Sequence, residues 1–494
     1  MNLTNKVFSM RLSGIYSAFF FIFSFFIISC NDEFTSVDKA NPLAFSTDTL
    51  SFDTVFTTLG STTEKLLVYN HSSKSITIES IKIAGGKESQ FRMNVDGLLN
   101  DENSFTNIEI PGRDSIYIFI ETTIDPNNSN LPVLVDDSII FESNTFRQRV
   151  RLEAYGQNME LFKDKLILHD TTLTATKPYL IKGYLAIDSA KTLTLNPGCK
   201  LYFHNNANLL IYGNLKAEGT TQQPIEMQGD RLDKIKFLDP VPYKYVAGQW
   251  GGVFLLWNRA NHVLQNVNIS SAYVGLYYIN SDFSRLPNLE LTNCRLQNFV
   301  YYGLAVQNGN INVVNTEISN TGSYTVYLNG GTHTFIHTTI ANYYNNNSAA
   351  PSNRDKNPAL LIMNMNRSAR MQTVFKNSII TGTLENEFSI ATRFPETYKG
   401  TFSNCYIRKT EPVEQSQFTN IRWYEYNDSV FKQIRYDYEK NLYFDFTPDS
   451  VSPARGIADI SVAFSYPIDL NGNSRLRDNA PDAGAYEWVP TRLQ

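Results

Sequence analysis

The chain has 494 residues, with 43 Lys and Arg against 48 Asp and Glu and a formal net charge of −5. That length accommodates two or three domains, and a mildly acidic balance with no basic run gives no electrostatic case for nucleic acid as a partner. At the start of the chain, Lys6 and Arg11 precede an apolar segment from Ile15 to Ile28, which closes on Ile27-Ile28-Ser29-Cys30. A basic region, an apolar core and a small residue before a cleavage point describe a secretory signal, and the segment is short for a membrane span.

With Cys30 in that place the segment resembles a bacterial lipobox. The resemblance implies that residues 1–29 are a lipoprotein signal peptide and that Cys30 carries the lipid. Asn31-Asp32-Glu33 resembles the surface-export signal of Bacteroidetes lipoproteins, which implies a lipid-anchored protein of the outer membrane, displayed at the surface. Residues 30–45 then form a polar tether.

Between 46 and 157 the pattern is one of separate strands. Leu50 to Phe56, Glu64 to Asn70, Ser75 to Ile83, Ser115 to Thr122, Asp137 to Phe141 and Gln148 to Ala154 alternate, and His71-Ser72-Ser73-Lys74 and Ala84-Gly85-Gly86-Lys87 punctuate them. About seven strands in about 110 residues predict a β-sandwich. Leu67-Val68-Tyr69-Asn70, Ile110-Pro111-Gly112 and the line from Val150 to Gly156 resemble a Hydin-type immunoglobulin-like domain, which implies a spacer or docking module. Asp136-Asp137 is the one tempting acidic pair there, and it reads as a solvated turn.

Residues 160–445 carry a repeated phrase: a polar residue, usually Asn, then two residues, then Ile or Leu. Copies begin at Asn266, Asn293, Asn315, His337, Asn377 and Asn404, spaced 27, 22, 22, 40 and 27 residues apart. Recurrence in that range marks stacked repeats with loop insertions. Alternating apolar residues flank each Asn (Leu289 and Leu291 before, Cys294 and Leu296 after), and a third short run follows, as in Gly303-Leu304-Ala305-Val306. Three short strands and three turns fill a coil of this length, and the 3.6-residue period of helices is missing. Asn tolerates the left-handed backbone region that a tight turn needs, and its amide can bond to the Asn one coil away, about 4.8 Å above or below.

This pattern resembles the right-handed parallel β-helix of the pectate-lyase-like superfamily, and the line from Leu209 to Thr220 with Trp250-Gly251-Gly252-Val253 resembles the first coils of bacterial extracellular β-helix proteins. The expected fold class is therefore all-β: an immunoglobulin-like sandwich followed by a right-handed parallel β-helix. Cys294 and Cys405 share a column four coil steps apart, about 19 Å, beyond the roughly 7 Å reach of a disulfide, so with Cys199 they read as core thiols. Asn345 to Pro358 and Thr383 to Gly400 are insertions. Residues 446–494 carry Ser452-Pro453-Ala454-Arg455-Gly456, Asp469-Leu470-Asn471-Gly472-Asn473-Ser474-Arg475 and the line from Pro481 to Trp488, which resemble a choice-of-anchor Q segment. A stack of coils ends in unpaired backbone, and the segment reads as its cap.

In the pectate-lyase-like superfamily substrate lies over the outer face of the first strand. That resemblance places Tyr277, Ala305 and Tyr327 outward on the groove strand, with Tyr273, Tyr301, Tyr302 and Tyr324 in the turn before it. Aromatic faces stack on sugars, so these six tyrosines are the glycan-binding candidates; stacking between coils explains the same column equally well. From Val246 to Asn345 the only acids are Asp282, Glu290 and Glu317, with Glu317 read as a surface ion pair with Arg295. His333 and His337, about 13 Å apart on one strand, cannot share a metal. No metal, cofactor or catalytic residue is thus identified. Two readings stay open: a surface lipoprotein whose β-helix binds a polysaccharide without chemistry, or a polysaccharide lyase or glycoside hydrolase using Arg354, Asp355, Lys356, Glu385 and Glu387 from the insertions.

Overall fold

The structure is a computed structural model that describes residues 35–37, 42–127, 129–143, 146–235, 240–256, 260–280, 288–346, 350, 354–365, 370–411, 415–437, 439–440 and 442–490. Cys30, Asn31, Asp32, Glu33 and the apolar segment before them lie outside the described residues, as does Asp282. Two compact units are present: one holds the residues up to Pro126 and Val133–Gly156, the other Asn127–Pro132 and everything from Gln157.

The first unit is a β-sandwich. One sheet orders Thr35–Ser36, Ile76–Ile83, Val133–Ser143, Phe146–Gln157 and Thr49–Phe56, with Ser104–Ile110 also on Ile76–Ile83; the other orders Ala44–Phe45, Glu64–Tyr69, Ser115–Thr122, Phe91–Val95 and Leu98–Leu99. Alternation puts Leu66, Val68, Ile78, Ile116, Ile118 and Ile120 into one buried cluster. The Asn70 amide donates to the carbonyls of Lys74, Ile110 and Pro111, tying together the phrases that marked this unit in sequence. Asp136 and Asp137 lie within the strand Val133–Ser143 rather than in the expected turn: the Asp137 carboxylate accepts from Ser89 Oγ at 2.6 Å and from the Gly85 and Ser138 amides, and Asp136 pairs with Arg151 at 3.6 Å.

The second unit is a parallel β-helix. Its 26 strands among the described residues follow one another in chain order, and all but Phe388–Thr392, Phe418–Thr419 and Arg422–Trp423 also pair in parallel with a strand one coil further on. The register runs Leu291, Val313, Phe335, Phe375, Phe402 along one inward column, where Phe335 and Phe375 stack at 4.6 Å and Phe375 and Phe402 at 5.1 Å. Asn266, Asn293, Asn315, His337, Asn377 and Asn404 all turn the chain with φ between 46° and 54°. The next residue in each coil from Cys294 on is small, buried and polar. Thr316, Thr338, Ser378 and Cys405 each donate to the carbonyl two residues back, as a second donor to carbonyls that already accept the amide of the ladder residue one coil earlier. Cys199, Cys294 and Cys405 are free and buried, and burial pushes each thiol up to about 12.

Three expectations are corrected here. Two coils have fewer breaks than predicted, because Tyr302–Val314 and Val326–Ile336 each run as one long strand through the expected turn. The ladder amides do not simply bond to one another: Asn377 Nδ2 reaches His337 Nε2 at 3.1 Å, but Asn315, Asn377 and Asn404 also donate to the carbonyls of Ile468, Asp459 and Ile457. The C-terminal segment accordingly lies along the flank of the coils, with Phe446, Ala454, Leu470, Ala483, Ala485 and Tyr486 packed on the outward side chains of Ala341, Ile379 and Tyr406. Gly484 makes that approach possible, since at its φ of 94° a Cβ would come within 2.7 Å of Ile379 and Thr339. Within the segment, the Asp469 carboxylate gathers the amides of Asn471, Asn473 and Glu487, while Arg475 pairs with Glu487 at 2.8 Å and reaches Asn315 Oδ1 at 3.0 Å.

Candidate functional site

The insertion residues do not assemble into a catalytic group. Arg354 and Glu387 form an ion pair at 2.5 Å with both side chains fully buried. The guanidinium also donates to the carbonyls of Asn342 and Asn357, and the carboxylate accepts from the Ala359 and Leu384 amides. The ion pair fastens one insertion to the other and its further bonds tie both to the coil at Asn342 and Ala359, whereas Asp355, Lys356 and Glu385 are exposed and take no part in it. We read the pair as structural: both charges are buried, paired with each other and hydrogen-bonded to the surrounding backbone.

The tyrosines form two groups rather than one wall. Tyr277 and Tyr327 do project from the outer face, in register through Ala305. Tyr302 begins its strand and joins them, its ring 6.0 Å from Tyr327 and 6.2 Å from Tyr324, with Tyr324 and Tyr327 at 5.9 Å. These rings are half-buried and cover Ala305, which is 1% exposed, so part of their surface is spent on one another. Phe254 continues the strip one coil earlier, 6.1 Å from Tyr277, whose hydroxyl accepts from Gln307 at 2.8 Å. Burial, then the Tyr302 hydroxyl, raises the Tyr277 phenol. Tyr273 and Tyr301 pair separately at 6.1 Å; Tyr273 lies inside a strand, and Tyr301 is 51% exposed.

A more concave site lies on a different face, over the strands that follow the Asn turn. A cavity of about 370 Å³ is lined by Lys200, Tyr202, Glu226, Gln228, Lys244, Tyr245, Asn268, Ser270, Arg295 and Gln297 among others. The register stacks Lys200, Glu226, Asn268 and Arg295 in one outward column. Asn268 Nδ2 donates to Glu226 at 2.7 Å. Burial raises the Glu226 carboxyl, and the Asn268 bond and then Lys244, Lys200 and Arg295 pull it back. Burial also takes the Tyr202 and Tyr245 phenols up to about 12.

At the end of this column the expected surface ion pair is replaced. Arg295 and Glu317 are in register, but Glu317 is buried and accepts from Gln297, Ser319 and the Tyr486 hydroxyl. Arg295 turns to Tyr486 Oη and to Asn471 Oδ1 at 2.8 Å, with its Nη1 in neither bond. The C-terminal segment is what takes these two groups out of solvent. Glu226 and Glu317 are three coil steps apart, about 14 Å along the stack, wider than the 6.5–9.5 Å that separates a glycosidase acid and base. Among the described residues no group of three or more His, Cys, Asp or Glu converges to hold a metal ion.

No protein-family model matches the chain, and no curated protein matches it. Solved structures similar to parts of it include a family 123 glycoside hydrolase from Clostridium perfringens, at 9% identity over 24% of this chain and 26% of that one, with a TM-score of 0.17. An ASH/PapD-like domain of human CEP192 matches at 10% identity over 24% of this chain and 84% of that one, with a TM-score of 0.16. The periplasmic chaperone SfaE matches at 17% identity over 24% of this chain and 57% of that one, also with a TM-score of 0.16. This chain therefore spans about a quarter of the length of the first, and similarity at this level carries no functional argument.

Proposed function

We propose that this chain is a lipid-anchored outer-membrane protein, displayed at the surface, whose β-helix binds a polysaccharide along its aromatic strip without chemistry. The observation that supports this reading is the strip itself: Phe254, Tyr277, Tyr302, Tyr324 and Tyr327 lie ring beside ring on one outer face of successive coils. Tyr277 and Tyr327 stand two coils apart, about 9.6 Å, near the length of a disaccharide, so an extended chain can touch both. Ring–ring packing already fixes their positions, so little side-chain entropy is lost on binding.

The test is a polysaccharide panel, neutral and acidic, measured with the full chain. Changing Tyr277→Ala together with Tyr327→Ala should weaken binding of a hit by about tenfold or more, the loss of two stacking contacts of about 0.5–1.5 kcal/mol each with their buried area. A chelator should leave binding unchanged, and a hit that the double variant retains would remove the strip from consideration. The anchor rests on the Ile27-Ile28-Ser29-Cys30 sequence and is tested separately. Metabolic labelling with a fatty acid should mark the wild type and not Cys30→Ala; equal labelling of both would refute it.

A further inference from the structure

The cavity over the strands after the Asn turn is independent of the aromatic strip, and its chemistry is different. We propose that it is a second binding site, for a compact acidic sugar carrying a carboxylate. Its floor is the outward column Lys200, Glu226, Asn268 and Arg295 and the neighbouring Tyr202, Gln228, Ser270 and Gln297. Lys244 and Tyr245 stand at its edge, with Tyr245 held in place by stacking on Tyr443 at 4.2 Å. The volume, about 370 Å³, lies in the lower part of the range of small-molecule sites.

The order of groups along the column suggests how a ligand lies. Cations stand at both ends, Lys200 and Arg295, and the hydrogen-bonding pair Glu226 and Asn268 stands between them. Arg295 is fixed from behind by Tyr486 and Asn471, while its Nη1 takes no part in those bonds, so a planar donor is preorganised without being used up. A carboxylate fits at the Arg295 end. Glu226, Gln228, Asn268, Ser270 and Gln297 offer both donors and acceptors, which suits ring hydroxyls and is more than a bare anion needs. The nearby charges are Lys200, Lys244 and Arg295 against Glu226 and Glu317, and Glu317 is already covered by Gln297, Ser319 and Tyr486. In a chain of net charge −5, a cavity with three cations at its rim and floor is a local inversion.

Titration calorimetry of the full chain with galacturonate and glucuronate, against galactose, glucose and inorganic phosphate, tests the assignment. A hexuronate should bind at least about tenfold more tightly than the neutral hexoses and than phosphate. Lys200→Gln with Lys244→Gln, two exposed side chains, should weaken it by about tenfold and flatten its salt dependence. Tyr277→Ala with Tyr327→Ala should leave it unchanged, which separates this site from the aromatic strip. Equal binding of neutral hexoses, displacement by phosphate at equal affinity, retention in the double lysine variant or no hexuronate binding would each overturn the proposal.

Discussion

Replacing Arg475 by alanine will lower the folding free energy by about 3–5 kcal/mol, the usual result of leaving one member of a buried pair without its partner. Its side chain has no solvent exposure, and its two forks are divided between Glu487 and Asn315. Without it, the Glu487 carboxylate keeps only the Asp482 amide, and Asn315 Oδ1 is left unpaired inside the contact between the C-terminal segment and the coils. The loss is coupled to more than one bond, because the same segment carries Tyr486 onto Glu317 and Ala485 onto Thr339. The expected outcome is a lower melting temperature together with protease cleavage after about residue 446. Arg475→Met with Glu487→Leu, which removes both charges, should recover much of the loss. A single variant that melts with the wild type and resists protease would show that the segment is held by its apolar contacts alone.

The coils were legible because their signal is local and repeated. Asn293 predicts a turn from its own backbone preference, and Leu289, Leu291, Cys294 and Leu296 predict which way each neighbour faces, so the register to Ile311, Val313, Thr316 and Ile318 follows from counting. What counting misses is anything made by residues far apart. Asn315 and Arg475 are 160 positions apart and Glu317 and Tyr486 are 169 apart, and no periodicity in the coils announces either bond. The same distance explains why Arg295 and Glu317 read as an exposed pair: the segment that buries them comes from the other end of the chain. The cavity had a usable signal. Asn268, Arg295 and Glu317 each stand two residues after a ladder position, and extending that column one coil back reaches Glu226, which lies before the Val246–Asn345 window in which acids were sought. The aromatic column was legible, but its division into two groups depends on Tyr302 and Tyr273 lying within strands rather than turns.

The buried histidines give the second large effect, a loss of stability in mild acid. His262 and His333 point into the β-helix, and His337 sits in the Asn ladder; all three have no solvent exposure. The Leu215 amide donates to His262 Nδ1 at 3.2 Å, and Asn377 Nδ2, whose Oδ1 is taken by the Asp459 amide, donates to His337 Nε2. The His262 and His337 rings therefore each use an acceptor nitrogen that protonation would abolish. Burial holds His262 down to about 4 and His333 to about 3, against an ordinary value of 6.5, and burial with the Arg475 charge holds His337 well below it. The open chain thus binds more protons than the folded one below pH 6.5, so this contribution is complete above that pH and is lost as pH falls toward the folded values. At pH 5 His262 and His333 each cost the fold about 2 kcal/mol, about 4 kcal/mol together, a large part of a domain's whole stability, and His337 acts in the same direction. Glu226, Asp482 and Glu487, raised by burial, act in the opposite sense as pH falls, so the readout is a difference between variants. Relative to the wild type, His333→Leu should gain about 2 kcal/mol between pH 7 and pH 5, whatever the substitution costs at pH 7, and His262→Leu should do the same. Denaturant melts at the two pH values measure it. A difference that stays constant with pH would mean that these rings are not held neutral by the fold.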